Sequence, residues 1–189
     1  MKEITNGNFG LLIAFLLPGF ITLWGLSYLH ETLRFWLGAS PTSVPTVGGF
    51  LYITVASVAA GLTVSTIRWL TIDSLHHISG IREPNWNFSR LQKNIDGYDR
   101  LIEIHYRYYQ FYANSLIALL IAYTAQRIST GYWTTPLRWT DFGFLFLVII
   151  FFAGSRDTLK KYYLRTSQLL ELSEVEKQVT DKELSGHSG

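Results

Sequence analysis

The chain contains no cysteine and few charged residues, and both shortages narrow what the protein can be. Without cysteine there is no disulfide framework, no thiolate nucleophile and no cysteine-based metal site. Charged residues make up 16% of the 189 residues, and a net charge of +2 is too small to predict a nucleic-acid partner. The sequence also lacks the motifs G-x-x-x-x-G-K-[ST], G-x-G-x-x-G, H-E-x-x-H and G-x-S-x-G. We therefore predict no cofactor and no enzyme activity.

Charged residues are absent altogether from three long apolar stretches, Ile4 to Leu29, Phe35 to Ile67 and Tyr108 to Gln126. About 18 or more uncharged apolar residues form a helix that crosses the ~30 Å hydrocarbon core of a bilayer. A fourth stretch, Phe142 to Ser155, is shorter but intensely apolar, and both of its flanks can extend it. This pattern predicts an all-α, polytopic membrane domain over residues 1–156. We place its four transmembrane helices at about 9–29, 47–70, 109–126 and 139–156.

The positions of the basic residues predict the orientation of these spans. With four spans and a cytoplasmic N-terminus, 13 of the 16 Lys and Arg residues lie on the cytoplasmic side. This asymmetry agrees with the positive-inside rule, whereas three spans would export the basic tail. We therefore expect a multi-pass protein of a plasma (inner) membrane with both termini in the cytoplasm. Trp24 and Tyr28 near the far end of the first span favour a retained helix over a cleaved signal peptide.

Two apolar stripes outside the spans predict a helical extension in the cytoplasm. One stripe crosses from the polar loop 71–107 into the third span, and the other lies in the tail 157–189. We expect the stripes to pack together and to offer a docking site for a soluble partner. From about Glu171 the tail is charged and rich in Ser and Gly, so its end is expected to be disordered. The stripes consist of Leu101, Ile104, Tyr108 and Phe111, and of Leu159, Tyr162, Tyr163 and Leu170.

Small and polar residues within the spans predict helix contacts. Ser57, Gly61 and Ser65 recur every four residues and form one stripe, which lets a second backbone approach closely. Gln110 and Asn114 lie one turn apart, and an amide exposed to lipid is costly unless a helix or water satisfies it. Packing within one chain is the commoner explanation for both sets. A self-association face or a pore lining is the alternative.

Pro18 and Gly19 stand near the middle of the first span. Proline removes one backbone hydrogen bond and glycine loosens packing. We therefore predict a helix kink at this position, which is either a static bend or a hinge.

An aromatic run with one arginine leads into the third span. Tyr106, Tyr108, Tyr109 and Tyr112 surround Arg107 at the depth where amphipathic rings border the lipid headgroups. An interfacial belt is the commoner explanation. A binding site for a lipid headgroup, formed by the arginine with the tyrosines, is the alternative.

The residues Asp73, His76 and His77 have helical spacing, which raises the question of a metal site. Two adjacent histidines on a helix point in different directions, and no second cluster of ligands has matching spacing. We therefore predict no metal and expect these residues to form a solvated cytoplasmic face. An intramembrane lipid-modifying enzyme that uses His76, His77 or Arg107 is the least favoured hypothesis.

Two functions from different classes remain. The first is a small homo-oligomer that forms a pore or permeability pathway in the bilayer, as a stress or defence effector does. It is favoured because no ionisable residue lies in the middle of a span. The second is a non-conducting membrane anchor or sensor that recruits a soluble cytoplasmic protein through residues 79–107 and the tail. The substitution Gly61→Leu is expected to abolish the first function and to leave the second intact.

Overall fold

The structure is a computed structural model and describes residues 6–38, 47–86, 88, 95–131 and 136–186. Within these ranges the chain is helical and contains no β-strand, which confirms the predicted all-α fold. Two π-helical turns, Trp69–Asp73 and Ile102–Tyr106, connect successive helices without a break. The helices are α1 (Asn6–Leu26), α2 (Glu31–Trp36), α3 (Val47–Arg68), α4 (Ser74–Ile78), α5 (Ile95–Leu101), α6 (Arg107–Thr130) and α7 (Trp139–Gly186).

The four long helices α1, α3, α6 and α7 alternate in direction along the chain. In space they pack side by side in the order α3, α1, α6, α7. Helices α1 and α6 are parallel neighbours, since Gly10 lies beside Arg107 and Gly25 lies beside Ala122. The two outer helices expose most of their apolar side chains. We call the end of the bundle that carries Arg68, Arg107 and Arg156 the basic end.

Helices α1 and α3 touch through their backbones. A Cβ atom added at Gly61 would lie 2.0 Å from the carbonyl oxygen of Phe15, and one added at Gly19 would lie 1.7 Å from the carbonyl oxygen of Ser57. Both distances are far inside van der Waals contact, so only glycine fits at either position. The close approach lets apolar helices gain dispersion contacts without a large side chain between them.

Two continuous helices of the described chain, Val47–Ile78 and Trp139–Leu170, each contain an 18-residue stretch that is apolar enough to cross a membrane. The predicted membrane class is therefore supported by two segments, and the predicted count of four spans is not confirmed. In α1 the apolar segment among the residues whose side chains the structure describes is Leu12–Leu26. Helix α6 is long enough but less apolar, because it lies between neighbours and buries polar side chains such as Gln110 and Ser115.

Helix α7 is longer than the fourth predicted span. It begins at Trp139, as expected, and continues to Gly186, so the tail extends the span instead of forming a separate helix. The backbone is helical as far as Gly186, and residues 187–189 lie outside the described residues. The expectation of disorder from about Glu171 stays a prediction.

The apolar stripe of α7 is buried as predicted, but the surface that packs against it is not the predicted stripe that leads into α6. Leu159, Tyr162 and Leu170 are buried on α7. The residues that pack with this α7 stripe are Ile102, Tyr106 and Tyr109, whereas the predicted Ile104 and Tyr108 are exposed. The π-turn Ile102–Tyr106 lies between Leu101 and Tyr108, so residues before and after it do not keep the α-helical register that the prediction assumed.

Candidate functional site

The proline in α1 leaves a backbone carbonyl without its usual donor. In an α-helix the N–H of residue 18 would donate to the carbonyl of Ala14, and Pro18 has no N–H. The side chain of Asn114 on α6 donates its Nδ2–H to that carbonyl oxygen at 2.8 Å. Both Pro18 and Asn114 are fully buried. The two residues are therefore parts of one contact, in which a neighbouring helix satisfies the group that the proline frees.

The small-residue stripe of α3 is covered by α1. Ser57 is 1% exposed and donates its hydroxyl to the carbonyl of Ile53 at 2.6 Å, and Gly61 lies against the α1 backbone. Ser65 is half-buried. On α6, Gln110 is 8% exposed and accepts a hydrogen bond from the Nη1 of Arg107 at 3.2 Å. These residues lie at contacts between helices of a single chain.

The five residues of the aromatic run separate into three surroundings. Tyr108 is exposed and, with Arg107, lines a groove of about 580 Å³ between α1 and the start of α6. Tyr112 packs against α7 at Gly154. Tyr106 and Tyr109 face the opposite side, where they border a second, larger cleft. The structure thus does not bring the four tyrosines together around Arg107.

A buried arginine at the end of α3 organises the basic end. Arg68 is 5% exposed, its Nη1 lies 3.4 Å from Oδ1 of Asp73, and its guanidinium covers the ring of Tyr109 at 5.1 Å. This ion pair lacks hydrogen-bond alignment, whereas the Tyr109 hydroxyl donates a short hydrogen bond to Asp73. Residues five apart in an α-helix are about 140° apart around its axis. The π-turn Trp69–Asp73 narrows this angle, so the arginine and the carboxylate can meet on one face.

His76 connects α4 to α7. Its Nε2 lies 3.0 Å from the hydroxyl of Ser155, and both side chains are fully buried. The Ser155 hydroxyl donates to the carbonyl of Phe152 at 2.8 Å, so its oxygen accepts from His76 and the histidine carries its proton on Nε2. The expectation of a solvated face for Asp73, His76 and His77 is therefore wrong for His76, and only His77 is exposed. Beyond α4, Arg156 of α7 donates to the carbonyl of Ser79 at 3.2 Å and closes the same contact.

His105 lies on the second π-turn and faces basic residues of α7. Burial lowers its pKa below the ordinary value for histidine, the charges of Arg165 and Lys161 lower it further, and Asp157 acts in the opposite direction. The neutral imidazole is therefore favoured at neutral pH.

A cleft of about 730 Å³ opens at the basic end between the loop after α4, the start of α6 and the outer half of α7. We call it the aromatic cleft. Trp69 and Tyr106 belong to the two π-turns, Trp86 belongs to the loop, and Tyr162 and Tyr163 belong to α7. Because π-turns are frequent at functional sites, the position of both turns at one cleft makes it the candidate site.

The ionisable groups that line the aromatic cleft are acidic, apart from His77. Asp73 and Glu83 contribute carboxylates, and no Lys or Arg is among the described residues that line it. Trp86 is held in place by a hydrogen bond from its Nε1 to the hydroxyl of Ser167 at 3.0 Å. Within the described ranges no group of three or more His, Asp or Glu side chains could hold a metal ion. The arrangement is that of an aromatic pocket with acidic side chains.

The residues named in the enzyme hypothesis do not form a common site. His76 is buried in a helix contact, His77 lines the aromatic cleft, and Arg107 lines the groove on the other side of α6.

Comparison with known proteins gives no relative from which a function can be transferred. No protein-family model, no curated protein and no solved structure matches this chain. The site is therefore interpreted from its own chemistry.

Proposed function

We propose that the protein is a non-conducting anchor or sensor of the plasma (inner) membrane. It crosses the membrane four times, with both termini in the cytoplasm. Its basic end presents a helical extension to a soluble partner. The observation that carries this proposal is the packed structure beyond the apolar segments. Helix α4, helix α5 and the second half of α7 continue the bundle there, around the buried residues Ile81, Leu159 and Tyr162. Large apolar side chains remain exposed on this extension, such as Ile78 at 82% and Leu164 at 58%.

Two features support four spans although two helices qualify alone. Helices α1 and α6 pack along α3 and α7, so all four share one environment over the apolar length. Charged side chains lie at both ends of the bundle. The basic end carries Arg68, Arg107 and Arg156, and the other end carries the pair Arg127 and Asp141. Along α6, Arg107 and Arg127 are 20 positions apart, which corresponds to about 30 Å at a rise of 1.5 Å per residue, the thickness of a hydrocarbon core.

The structure does not favour the pore hypothesis, which remains a prediction. The residues that suggested a conduit, Ser57, Gly61, Gln110 and Asn114, are buried between helices of one chain. They are not on a surface where several subunits could surround an axis. Gly61→Leu is also unsuitable as a test, because the added side chain collides with the backbone at Phe15 and disturbs folding in either case.

Topology can be measured by single-cysteine labelling, since the chain has no cysteine of its own. Glu31→Cys and Ser129→Cys place an exposed thiol at one end, and Ser74→Cys and Lys160→Cys place one at the basic end. We expect an impermeant maleimide to label the first pair on intact spheroplasts and the second pair only after permeabilisation. Labelling of Lys160→Cys from outside would overturn the four-span topology.

Conduction and partner docking can be separated by two further measurements. Liposomes with correctly inserted protein are expected to be as impermeable to ions as protein-free liposomes, and flux above that background would contradict the proposal. A photo-crosslinking residue at Lys160 is expected to capture a discrete soluble protein in cells, whereas the matched position Leu145, exposed in the apolar part of α7, captures none. Capture at neither position would remove the docking role.

A further inference from the structure

We propose that the aromatic cleft binds an organic ammonium group, of the kind carried by choline, betaine-type solutes and ammonium-bearing lipid headgroups. This inference goes beyond the proposed function and does not depend on it, since a cleft of this kind would bind its ligand whether or not a protein docks on the extension.

The walls of the cleft are aromatic rings set at steep angles to one another. Trp86 meets Tyr162 at a centroid distance of 5.8 Å and an interplanar angle of 89°, and it meets Tyr163 at 5.7 Å and 70°. Tyr106 packs on Tyr162 at 5.1 Å and 42°. Trp86, Tyr106 and Tyr163 are half-buried and line the same cleft, so one cation there can lie close to more than one π-system. Alkylated ammonium groups are recognised in this way, because the ring quadrupole attracts the charge while the methyl groups pack on carbon.

The charges of the lining residues select for a cation. Asp73 and Glu83 lie among the rings, and an anionic ligand would meet like charge. Arg68 offsets the charge of Asp73, with which it is paired, so the carboxylate of Glu83 supplies the uncompensated negative charge of the cleft. Glu83 forms no ion pair with any residue that the structure describes, so its carboxylate is available to a ligand.

The cleft is held in shape before any ligand arrives. Hydrogen bonds fix Trp86 to Ser167 and Tyr98 to Tyr162, the latter at 3.1 Å between hydroxyl oxygens. Its volume of about 730 Å³ lies within the usual range of about 300–1,000 Å³ for small-molecule sites. Preorganised rings lose little conformational entropy on binding, which favours a site over an incidental gap.

Binding can be measured on the purified full chain in a maltoside detergent, which carries no ammonium group. Choline is titrated against 3,3-dimethyl-1-butanol, which has the same shape but no charge, with tryptophan fluorescence and calorimetry as readouts. Since cation–π contacts strengthen the binding of a charged ammonium in a partly desolvated site, we expect choline to bind about tenfold or more tightly than the neutral analogue. Equal affinity for the two compounds, or no binding of either, would overturn the proposal.

Variants assign the binding to this cleft. Glu83→Gln keeps the shape of an exposed side chain and is expected to raise the Kd for choline several-fold, by about 3–10 times. Trp86→Leu is expected to raise it further, and circular dichroism checks that the helices persist. Glu103→Gln is the matched control, because Glu103 lines the groove on the other side of α6. An unchanged Kd in both cleft variants, or an equal change in the control, would contradict the assignment.

The same assay distinguishes a lipid from a soluble ligand. The protein is placed in nanodiscs of phosphatidylglycerol alone or of phosphatidylglycerol mixed with phosphatidylcholine. A weaker apparent affinity for choline in the mixed discs shows that the headgroup occupies the cleft, and an equal affinity shows that the ligand comes from solution. Both results support an ammonium site, and loss of choline binding in both types of disc would argue against it.

Discussion

Replacing Asn114 by alanine removes the donor on which the carbonyl of Ala14 depends. The usual α-helical donor to that carbonyl is missing, because Pro18 provides no N–H. Leaving a buried carbonyl unsatisfied costs about 1–3 kcal/mol, whereas interhelical hydrogen bonds in membrane proteins average about 0.6 kcal/mol. The Oδ1 of Asn114 is itself buried without a partner, so its removal offsets part of the loss. We expect Asn114→Ala to lower the free energy of unfolding by about 1–2 kcal/mol.

The proline makes this prediction specific. In a Pro18→Ala background residue 18 regains an N–H, which can donate to the Ala14 carbonyl in the ordinary helical way. Asn114→Ala should then cost less than in the wild type, by about 1 kcal/mol. The packing lost with the buried ring of Pro18 is the same in Pro18→Ala and in the double mutant, so it cancels from the coupling free energy.

The measurement is a double-mutant cycle on the two positions. Unfolding of the four proteins is followed by far-ultraviolet circular dichroism in mixed micelles, as the mole fraction of sodium dodecyl sulfate rises. Ser115→Ala serves as the control, since the Ser115 hydroxyl is buried with no partner and its removal should not destabilise. Additive effects of the two substitutions, within about 0.3–0.5 kcal/mol, would refute the view that Asn114 stands in for the missing backbone donor.

Three further predictions concern packing, satisfaction of polar groups and pH. Gly61→Ala should destabilise the protein by about 3 kcal/mol or more in the same assay, because the new Cβ overlaps the backbone of α1. Gly143→Ala is the matched control: its new Cβ has open space around it, so the substitution should be neutral or stabilising by up to about 1 kcal/mol. Thr166→Val should raise the free energy of unfolding by about 1 kcal/mol, since the Thr166 hydroxyl is fully buried without a partner, and a loss of stability would contradict this. The pKa of His105 is lowered below its unfolded value of about 6.5, first by burial and then by nearby charges, of which that of Arg165 has the largest effect. The unfolded state therefore binds more protons than the folded state just below that pH. Stability should therefore fall as the pH drops below about 6.5, and His105→Gln should flatten this dependence in equilibrium unfolding measured from pH 5 to 8.

The helices could be read from the sequence because their signal is local. The predicted starts at 47 and 139 coincide with the starts of α3 and α7, and the third span lies inside α6. Uncharged apolar runs suffice for this, since lipid and a protein interior both reward a helix of that composition. The membrane signal of α6 is weaker than that of α3 or α7, because α6 carries polar side chains that contact neighbouring helices and lower its mean hydropathy.

The candidate site was largely missed, and the reason is the two π-turns. Each adds a residue to a helical turn and changes which side chains share a face beyond it. Arg68 and Asp73 have no pairing signal at a spacing of five, and Tyr106 and Tyr109 were assigned to the same belt as Tyr108. Trp86, from a loop without periodicity, gave no signal at all. A sequence pattern that assumes 3.6 residues per turn cannot anticipate such a shift.

The bond between Ala14 and Asn114 also bears on how the protein is made. The two residues are 100 positions apart. At about 5–20 residues per second, a ribosome therefore takes about 5–20 s to deliver the donor after the acceptor has been synthesised. In the four-span topology that we propose, the nascent first helix holds throughout this interval a carbonyl that lipid cannot satisfy. We therefore expect the two central helices to leave the insertion machinery together, and the first helix to be a poor anchor when it is expressed alone.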